Sequence, residues 1–129
     1  VQRQFFARRH AARRMAFDQR RIHRGGAAAL QPGEGESARP DSLGLIYPAY
    51  LEEKPRFPLK KDHPPTFLLQ ASNDPYFPSY TAYEKALLKR KLPLEAHLFP
   101  EGGHGFGSRP CGKATDGWLE LYTNWLKRI

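Results

Sequence analysis

The 129-residue chain contains a single cysteine, Cys111, which excludes an intrachain disulfide and any zinc site built from several cysteines. Long apolar runs are also missing, since no stretch approaches the roughly 20 apolar residues that a membrane helix needs. Mean hydropathy is −0.69, and we expect no membrane partner. No apolar segment follows the arginine-rich N-terminus, so no secretory signal is recognised. Any signal would precede Val1, and cytoplasmic and secreted locations both stay open.

Acidic residues are scarce in the first part of the chain. Residues 1–24 hold eight arginines against one acid, Asp18, and carry a balance of +7 out of a total of +8. Such a basic stripe could bind nucleic acid through phosphates. It lacks the interleaved aromatic residues of a base-stacking platform, so we expect no nucleic-acid partner.

Composition divides the chain into three parts. Residues 2–16 are rich in Arg, Ala and Gln and predict a helix, so residues 1–24 are interpreted as a basic helical segment. Residues 25–38 are rich in glycine, alanine and proline and predict a loop or a disordered insert. Residues 39–129 are near neutral and predict one α/β unit.

Within that unit, short apolar runs predict three strands, over residues 43–47, 66–71 and 94–99. The first two lack polar alternation, which is typical of parallel strands covered on both faces, whereas the third alternates and fits a position nearer an edge. Helical spacing predicts helices over residues 78–91 and 118–129. We expect Thr115 or Asp116 to cap the second helix.

Two chemically distinctive residues follow consecutive predicted strands. Asp74 comes shortly after the strand over residues 66–71, and His104 follows the next strand in the glycine-rich loop GGHGFG, residues 102–107. Because parallel strands deliver their carboxyl ends to one edge of a sheet, we expect the two side chains to meet there. A carboxylate on one imidazole nitrogen fixes the tautomer, and the other nitrogen can then act as general base for a serine. We therefore predict Asp74 and His104 to be catalytic.

Two other histidines have a different context. His97 lies within a strand pattern and His63 precedes a proline in a loop, so we interpret both as structural. The spacing of the histidines matches no metal-binding pattern, and we expect no metal.

Residues 39–129 resemble the C-terminal part of an α/β hydrolase of the esterase and acetyl-xylan-esterase-like branch. The resemblance implies a mostly parallel sheet with flanking helices that is incomplete, with Asp74 as triad acid and His104 as triad base. It implies no cofactor, because triad chemistry needs none. The matching segments are residues 39–48, the acid strand PPTFLLQASNDP (64–75), the crossover helix YEKAL (83–87), the histidine loop LFPEGGHGFG (98–107) and the closing Trp125-Leu126.

The chain departs from this family at the nucleophile. The family places its serine in G-x-S-x-G on a sharp strand-to-helix turn, and this sequence contains no such match. If Gly25 marks the first glycine of that turn, Ala27 stands where the serine belongs. Ser37, in GESAR, has an arginine in place of the second glycine and no apolar strand before it. The nucleophile is therefore unknown; the remaining serines, which also lack the turn context, are Ser42, Ser72, Ser79 and Ser108.

The resemblance implies a serine ester hydrolase of carboxylesterase or acetylesterase type, acting on a small ester or an acetylated carbohydrate. A lipase or peptidase of the same fold stays open, as does a non-catalytic basic binding module or pseudo-hydrolase. Because no nucleophile is recognisable and the oxyanion-hole segment would precede Val1, we expect a truncated or inactive chain that hydrolyses esters poorly or not at all. A sheet with missing strands exposes an edge, so we also expect low stability alone and self-association through that edge.

Overall fold

The computed structural model describes residues 15–16, 40–52 and 59–129. Neither helix in this part of the chain has the length and apolar character needed to cross a bilayer. In chain order the elements are strand β1 (Met15–Ala16), strand β2 (Ser42–Ile46), strand β3 (Thr66–Ala71), helix α1 (Phe77–Lys89), strand β4 (Leu94–Phe99), a 3₁₀ turn (Ala114–Gly117) and helix α2 (Trp118–Arg128).

The strands form one parallel sheet in the order β1-β2-β3-β4. Leu43 pairs with Thr66, and Thr66 in turn pairs with Leu94, so β2, β3 and β4 start level with one another. The predicted α/β class with a parallel sheet is therefore confirmed. Among the described strands β4 pairs only with β3, and its Leu98 is 47% exposed, which agrees with the predicted edge position.

Strand β3 is buried on both faces, which explains its unbroken apolar sequence. Leu68 points into the core on the α1 side, whereas Phe67 and Leu69 point into the core on the α2 side. All three are 0% exposed. Side chains alternate along a strand, so a strand between two helical layers needs apolar residues at every position.

Helix α1 covers one face of the sheet with the buried side chains of Tyr80, Tyr83 and Leu87. Its first turn holds Pro78, whose fixed backbone suits a helix start. The helix ends at Lys89 rather than at the predicted residue 91. The backbone N–H groups of Arg90 and Leu92 bond back to the carbonyl of Leu87, and Lys91 adopts a left-handed φ of 54°.

Helix α2 covers the opposite face. Trp118, Tyr122 and Trp125 are buried there against Phe67, whose ring centroid lies 5.1 Å from that of Tyr122 and 5.5 Å from that of Trp125. Gly44 of β2 leaves room for the ring of Tyr122 against the sheet, because a Cβ atom at position 44 would lie 2.8 Å from the Tyr122 hydroxyl oxygen. The predicted amphipathic helix over residues 118–129 is thus confirmed, with its end at Arg128.

Two local predictions are wrong. The helix predicted over residues 2–16 is contradicted at its last two residues, because Met15–Ala16 is a strand held by parallel pairing with Ser42 and Leu43. Neither Thr115 nor Asp116 caps α2: its N-cap is Gly117, with no side-chain cap bond. The Asp116 carboxylate instead accepts the backbone N–H groups of Cys111 and Gly112, and the bonds from Cys111 lower the pKa of Asp116. The predictions for residues 1–14 and 17–39 lie outside the described residues.

Candidate active site

Asp74 lies in the turn that joins β3 to α1, at the carboxyl edge of the sheet. Its backbone N–H bonds to Ala71 O at 3.1 Å, and its own carbonyl accepts the N–H of Phe77 at 3.0 Å. One carboxylate oxygen, Oδ1, accepts the N–H of Tyr76 at 2.7 Å. The chain therefore bends around the Asp74 carboxylate, which has 0% side-chain exposure and so is held away from solvent.

The second carboxylate oxygen of Asp74 faces His104. Asp74 Oδ2 and His104 Nδ1 are 2.9 Å apart, within hydrogen-bond distance. Because a carboxylate can only accept, this contact places the imidazole proton on Nδ1 in the neutral ring and leaves Nε2 as the basic nitrogen. The imidazole side chain is 31% exposed, so the pair has one buried partner and one that reaches the surface.

The histidine loop is attached to its surroundings on both sides of His104. Before it, the backbone N–H of Gly103 donates to Asn73 Oδ1 at 2.8 Å. After it, the indole N–H of Trp118 donates to the carbonyl of Gly107 at 2.7 Å. The loop is thus tied to the β3–α1 turn and to the first residue of α2, which fixes the position of His104 relative to Asp74.

Two glycines let this loop take its course. Gly102 has a φ of 149°, and a Cβ atom there would lie 2.5 Å from Cγ2 of the buried Thr115. Gly103 has a φ of 66°, but a Cβ atom there would meet nothing within 4 Å. Both positions therefore need a backbone conformation that other residues rarely adopt, and Gly102 also needs the absence of a side chain.

Aromatic rings hold the imidazole of His104. The ring of Tyr76 lies 4.7 Å from it and the ring of Tyr47 lies 5.3 Å from it, both in edge contacts. Tyr47 also contacts Phe106 of the histidine loop, at 4.9 Å between centroids. Burial raises the pKa of Tyr47, so its phenol stays protonated and uncharged beside the acid–histidine pair.

Comparison with solved structures finds the same fold in hydrolases. An acetyl ester-xyloside bifunctional hydrolase from Caldicellulosiruptor lactoaceticus matches 80% of this chain with a TM-score of 0.64 and 24% identity. An α/β hydrolase enzyme from a deep-sea metagenome library of the Medee basin matches 79% with a TM-score of 0.58 and 25% identity. The described chain is part of an α/β-hydrolase fold. It matches 50% and 48% of those two chains and so spans about half of their length.

No protein-family model matches the sequence. No curated protein matches it either. The α/β-hydrolase relationship therefore rests on the three-dimensional arrangement of the described residues, together with the motifs that the sequence carries around Asp74 and His104.

Of the histidines considered from the sequence, the α/β-hydrolase fold places only His104 beside Asp74. His97 Nε2 lies 2.9 Å from Glu95 Oε1 on β4, and its ring contacts Phe67. His63 Nε2 lies 3.2 Å from Thr66 Oγ1 and 3.3 Å from the hydroxyl of Tyr83. Among the described ranges, no group of three His, Cys, Asp or Glu side chains is arranged to hold a metal.

The nucleophile is not located by the described part of the chain. Gly25, Ala27 and Ser37 fall outside it. Two of the described serines have structural bonds: Ser79 Oγ donates to Glu52 and accepts the N–H of Leu51, and Ser72 Oγ donates to the carbonyl of Pro100. Ser42 is buried in β2, and Ser108 is exposed directly after the histidine loop. The catalytic role of Asp74 and His104 stays a prediction.

Sequence reasoning missed the residues that hold the pair in place. Asn73 directly precedes the acid, and its role depends on a backbone N–H from position 103, thirty residues away. Tyr47 and Tyr76 follow β2 and β3, and their position at the carboxyl ends of predicted strands was the one available signal. An aromatic ring at such an edge can contact the site in the same way as the acid and the histidine do.

Proposed function

We propose that Asp74 and His104 are the acid and the general base of an ester hydrolase site of carboxylesterase or acetylesterase type. The observation that carries the proposal is the 2.9 Å contact between Asp74 Oδ2 and His104 Nδ1, with the carboxylate fully buried at the carboxyl edge of the sheet. Support also comes from the fold, since both structural relatives are hydrolases and the name of one includes an acetyl ester.

In this proposal Asp74 orients the imidazole and stabilises the imidazolium that forms during the reaction. His104 Nε2 takes the proton of a serine hydroxyl as that oxygen attacks the ester carbonyl, and then returns the proton to the leaving alcohol. The serine and the oxyanion donors come from outside the described residues. The substrate class that we propose is short acyl esters, including acetylated carbohydrates.

The test uses the full chain and two substitutions that remove one role each. Asp74→Asn keeps the shape of the side chain but removes the charge, and His104→Ala removes the base. His97→Ala is the matched control, because His97 also lies beside a carboxylate but on β4, away from the Asp74–His104 pair. We expect weak hydrolysis of p-nitrophenyl acetate that falls about 10²-fold or more, or to background, in the first two variants and is unchanged in the control.

A second measurement reads the pair without turnover. Nitrogen NMR of the full chain should show His104 with its proton on Nδ1, and Asp74→Asn should weaken that preference. Turnover that is indifferent to both substitutions contradicts the proposal. An intact tautomer with no turnover at all assigns the chain to the non-catalytic alternative, a pseudo-hydrolase. Faster cleavage of p-nitroanilides than of p-nitrophenyl esters favours the peptidase alternative.

A further inference from the structure

A pair of tyrosines forms a rim next to the imidazole of His104. The hydroxyl oxygens of Tyr50 and Tyr76 are 3.2 Å apart, and their ring centroids are 5.1 Å apart in an edge contact. Tyr50 is 37% exposed and Tyr76 is partly buried, so the rim is accessible within the described structure. A phenol oxygen can donate once and accept more than once, so the mutual contact does not exhaust the hydrogen bonding of Tyr76.

The backbone beside this rim has an unusual conformation. Among the described residues, three non-glycine residues have positive φ: Tyr47 at 42°, Tyr50 at 62° and Lys91 at 54°. Lys91 follows the end of α1, where a left-handed residue commonly ends a helix. Tyr47 and Tyr50 have no such explanation and lie together on the segment that follows β2. Bulky residues rarely adopt positive φ, and such strain concentrates at binding and catalytic sites.

The position of the rim determines which part of an ester it would meet. In the proposed reaction His104 returns its proton to the oxygen of the leaving alcohol, so the alcohol part of the ester lies next to the imidazole. The ring of Tyr76 is 4.7 Å from the imidazole. The acyl side, in contrast, is bounded by the nucleophile and the oxyanion donors.

From this geometry we propose that Tyr50 and Tyr76 form a subsite for a polyhydroxylated alcohol, a sugar ring that carries the ester. The aromatic rings offer an apolar surface to the C–H groups of the sugar, and the two phenol oxygens offer donors and acceptors to its hydroxyls. The assignment of this subsite to the alcohol side rests on the proposed function of His104.

The experiment compares two esters that differ in ring hydroxyls. One probe is a monoacetylated methyl xyloside and the other is cyclohexyl acetate, which has a ring of the same size and no free hydroxyl. Binding to the full chain is followed by NMR of the tyrosine rings and of the His104 imidazole. We expect saturable shifts of Tyr50, Tyr76 and His104 with the xyloside, and binding of cyclohexyl acetate that is several-fold weaker.

Substitutions that remove one hydroxyl each locate the binding site. Tyr50→Phe and Tyr76→Phe should each weaken xyloside binding about three- to tenfold, the factor expected for one neutral hydrogen bond, and should leave cyclohexyl acetate unaffected. Tyr80→Phe is the matched control, because its hydroxyl donates to Glu84 on α1, and it should leave both affinities unchanged. Preserved dispersion of the NMR spectrum shows that each variant is folded.

The proposal is overturned if the folded chain binds neither probe, if both probes bind equally, or if Tyr50→Phe and Tyr76→Phe leave xyloside affinity unchanged. These outcomes are separable from failure of the proposed function. Xyloside binding through the tyrosines without turnover that depends on Asp74 and His104 retains the subsite and removes the esterase role. Turnover of p-nitrophenyl acetate that depends on Asp74 and His104, without xyloside binding, retains the esterase role and removes the subsite.

Discussion

Two adjacent glycines in the histidine loop allow the same substitution to be compared in crowded and open surroundings. Both have positive φ, but a Cβ atom at Gly102 would lie 2.5 Å from Thr115 Cγ2, whereas one at Gly103 would meet nothing within 4 Å. Gly103→Ala should therefore lower the free energy of unfolding by about 1–2 kcal/mol, the cost of an alanine in a left-handed conformation. Gly102→Ala should lower the free energy of unfolding further, because about 1–3 kcal/mol of steric strain is added to the conformational cost of an alanine at positive φ.

The strain at Gly102 has an identified source, so it can be relieved. Thr115→Ser deletes the methyl group that the new Cβ atom would meet and keeps the hydroxyl. In the double variant the two changes should cost less than the sum of the single changes, with a coupling of about 0.5–3 kcal/mol. Relief is partial, because the Cβ atom would still lie 3.3 Å from the Cβ atom of Ala71 and 3.4 Å from Phe106 Cδ1.

Urea unfolding of the full chain and its variants, followed by tryptophan fluorescence, measures these differences, provided that all variants share one slope. Gly102→Ala should also displace His104, which NMR of the imidazole detects directly. The steric reasoning is refuted if Gly102→Ala is no more destabilising than Gly103→Ala, or if Thr115→Ser gives no relief.

Three further predictions concern stability. The side-chain amide of Gln70 is fully buried in β3, and neither of its polar atoms has a hydrogen-bond partner among the described residues. Gln70→Met should therefore raise the free energy of unfolding by about 1–3 kcal/mol and shift the urea midpoint upward. A lower midpoint would show that the amide has a partner. Trp125→Ala, which leaves a cavity between α2 and the sheet, should lower the free energy of unfolding by about 3–5 kcal/mol. Leu119→Ala, at an exposed position of the same helix, should lower it by less than about 0.5 kcal/mol, and equal losses would contradict a core on the α2 face of the sheet. Burial raises the pKa of Tyr122 from the ordinary value of 10.0 to about 12. The stability that depends on the neutral buried phenol is therefore complete below pH 10 and declines as the pH rises toward 12. Phenolate absorbance of Tyr122 that appears at pH 10 without unfolding would refute this prediction.

The parts of the fold that depend on local sequence pattern were predictable. Strand β3 was recognisable because burial on both faces requires an apolar residue at each position, and helix α2 because its apolar residues recur at helical spacing. The prediction failed at Met15–Ala16, where helix-favouring composition is overridden by pairing with β2. A preference of single residues is weak compared with the hydrogen bonds of a sheet that forms between distant segments.

The sequence predicted the acid and the histidine of the candidate site but not the residues that hold them in position. Asp74 and His104 were identified from strand order, since topology alone directs both to one edge. Asn73, Tyr47 and Tyr76 were missed because each acts on a residue far away in sequence, through a backbone N–H or an aromatic edge. The expected capping role of Asp116 failed for a local reason, because its carboxylate accepts the backbone N–H groups of Cys111 and Gly112, five and four residues earlier.

The histidine loop is anchored by main-chain atoms on both sides of the base: the N–H of Gly103 and the carbonyl of Gly107. The partners of these main-chain atoms are the side chains of Asn73 and Trp118, so the anchors make no demand on the exposed side chains next to the loop. Glu101, Ser108 and Arg109 are exposed and can be varied in a combinatorial library without loss of either anchor. These exposed positions are therefore open to directed evolution, while the base keeps the side chains that position it, Asp74, Asn73 and Trp118.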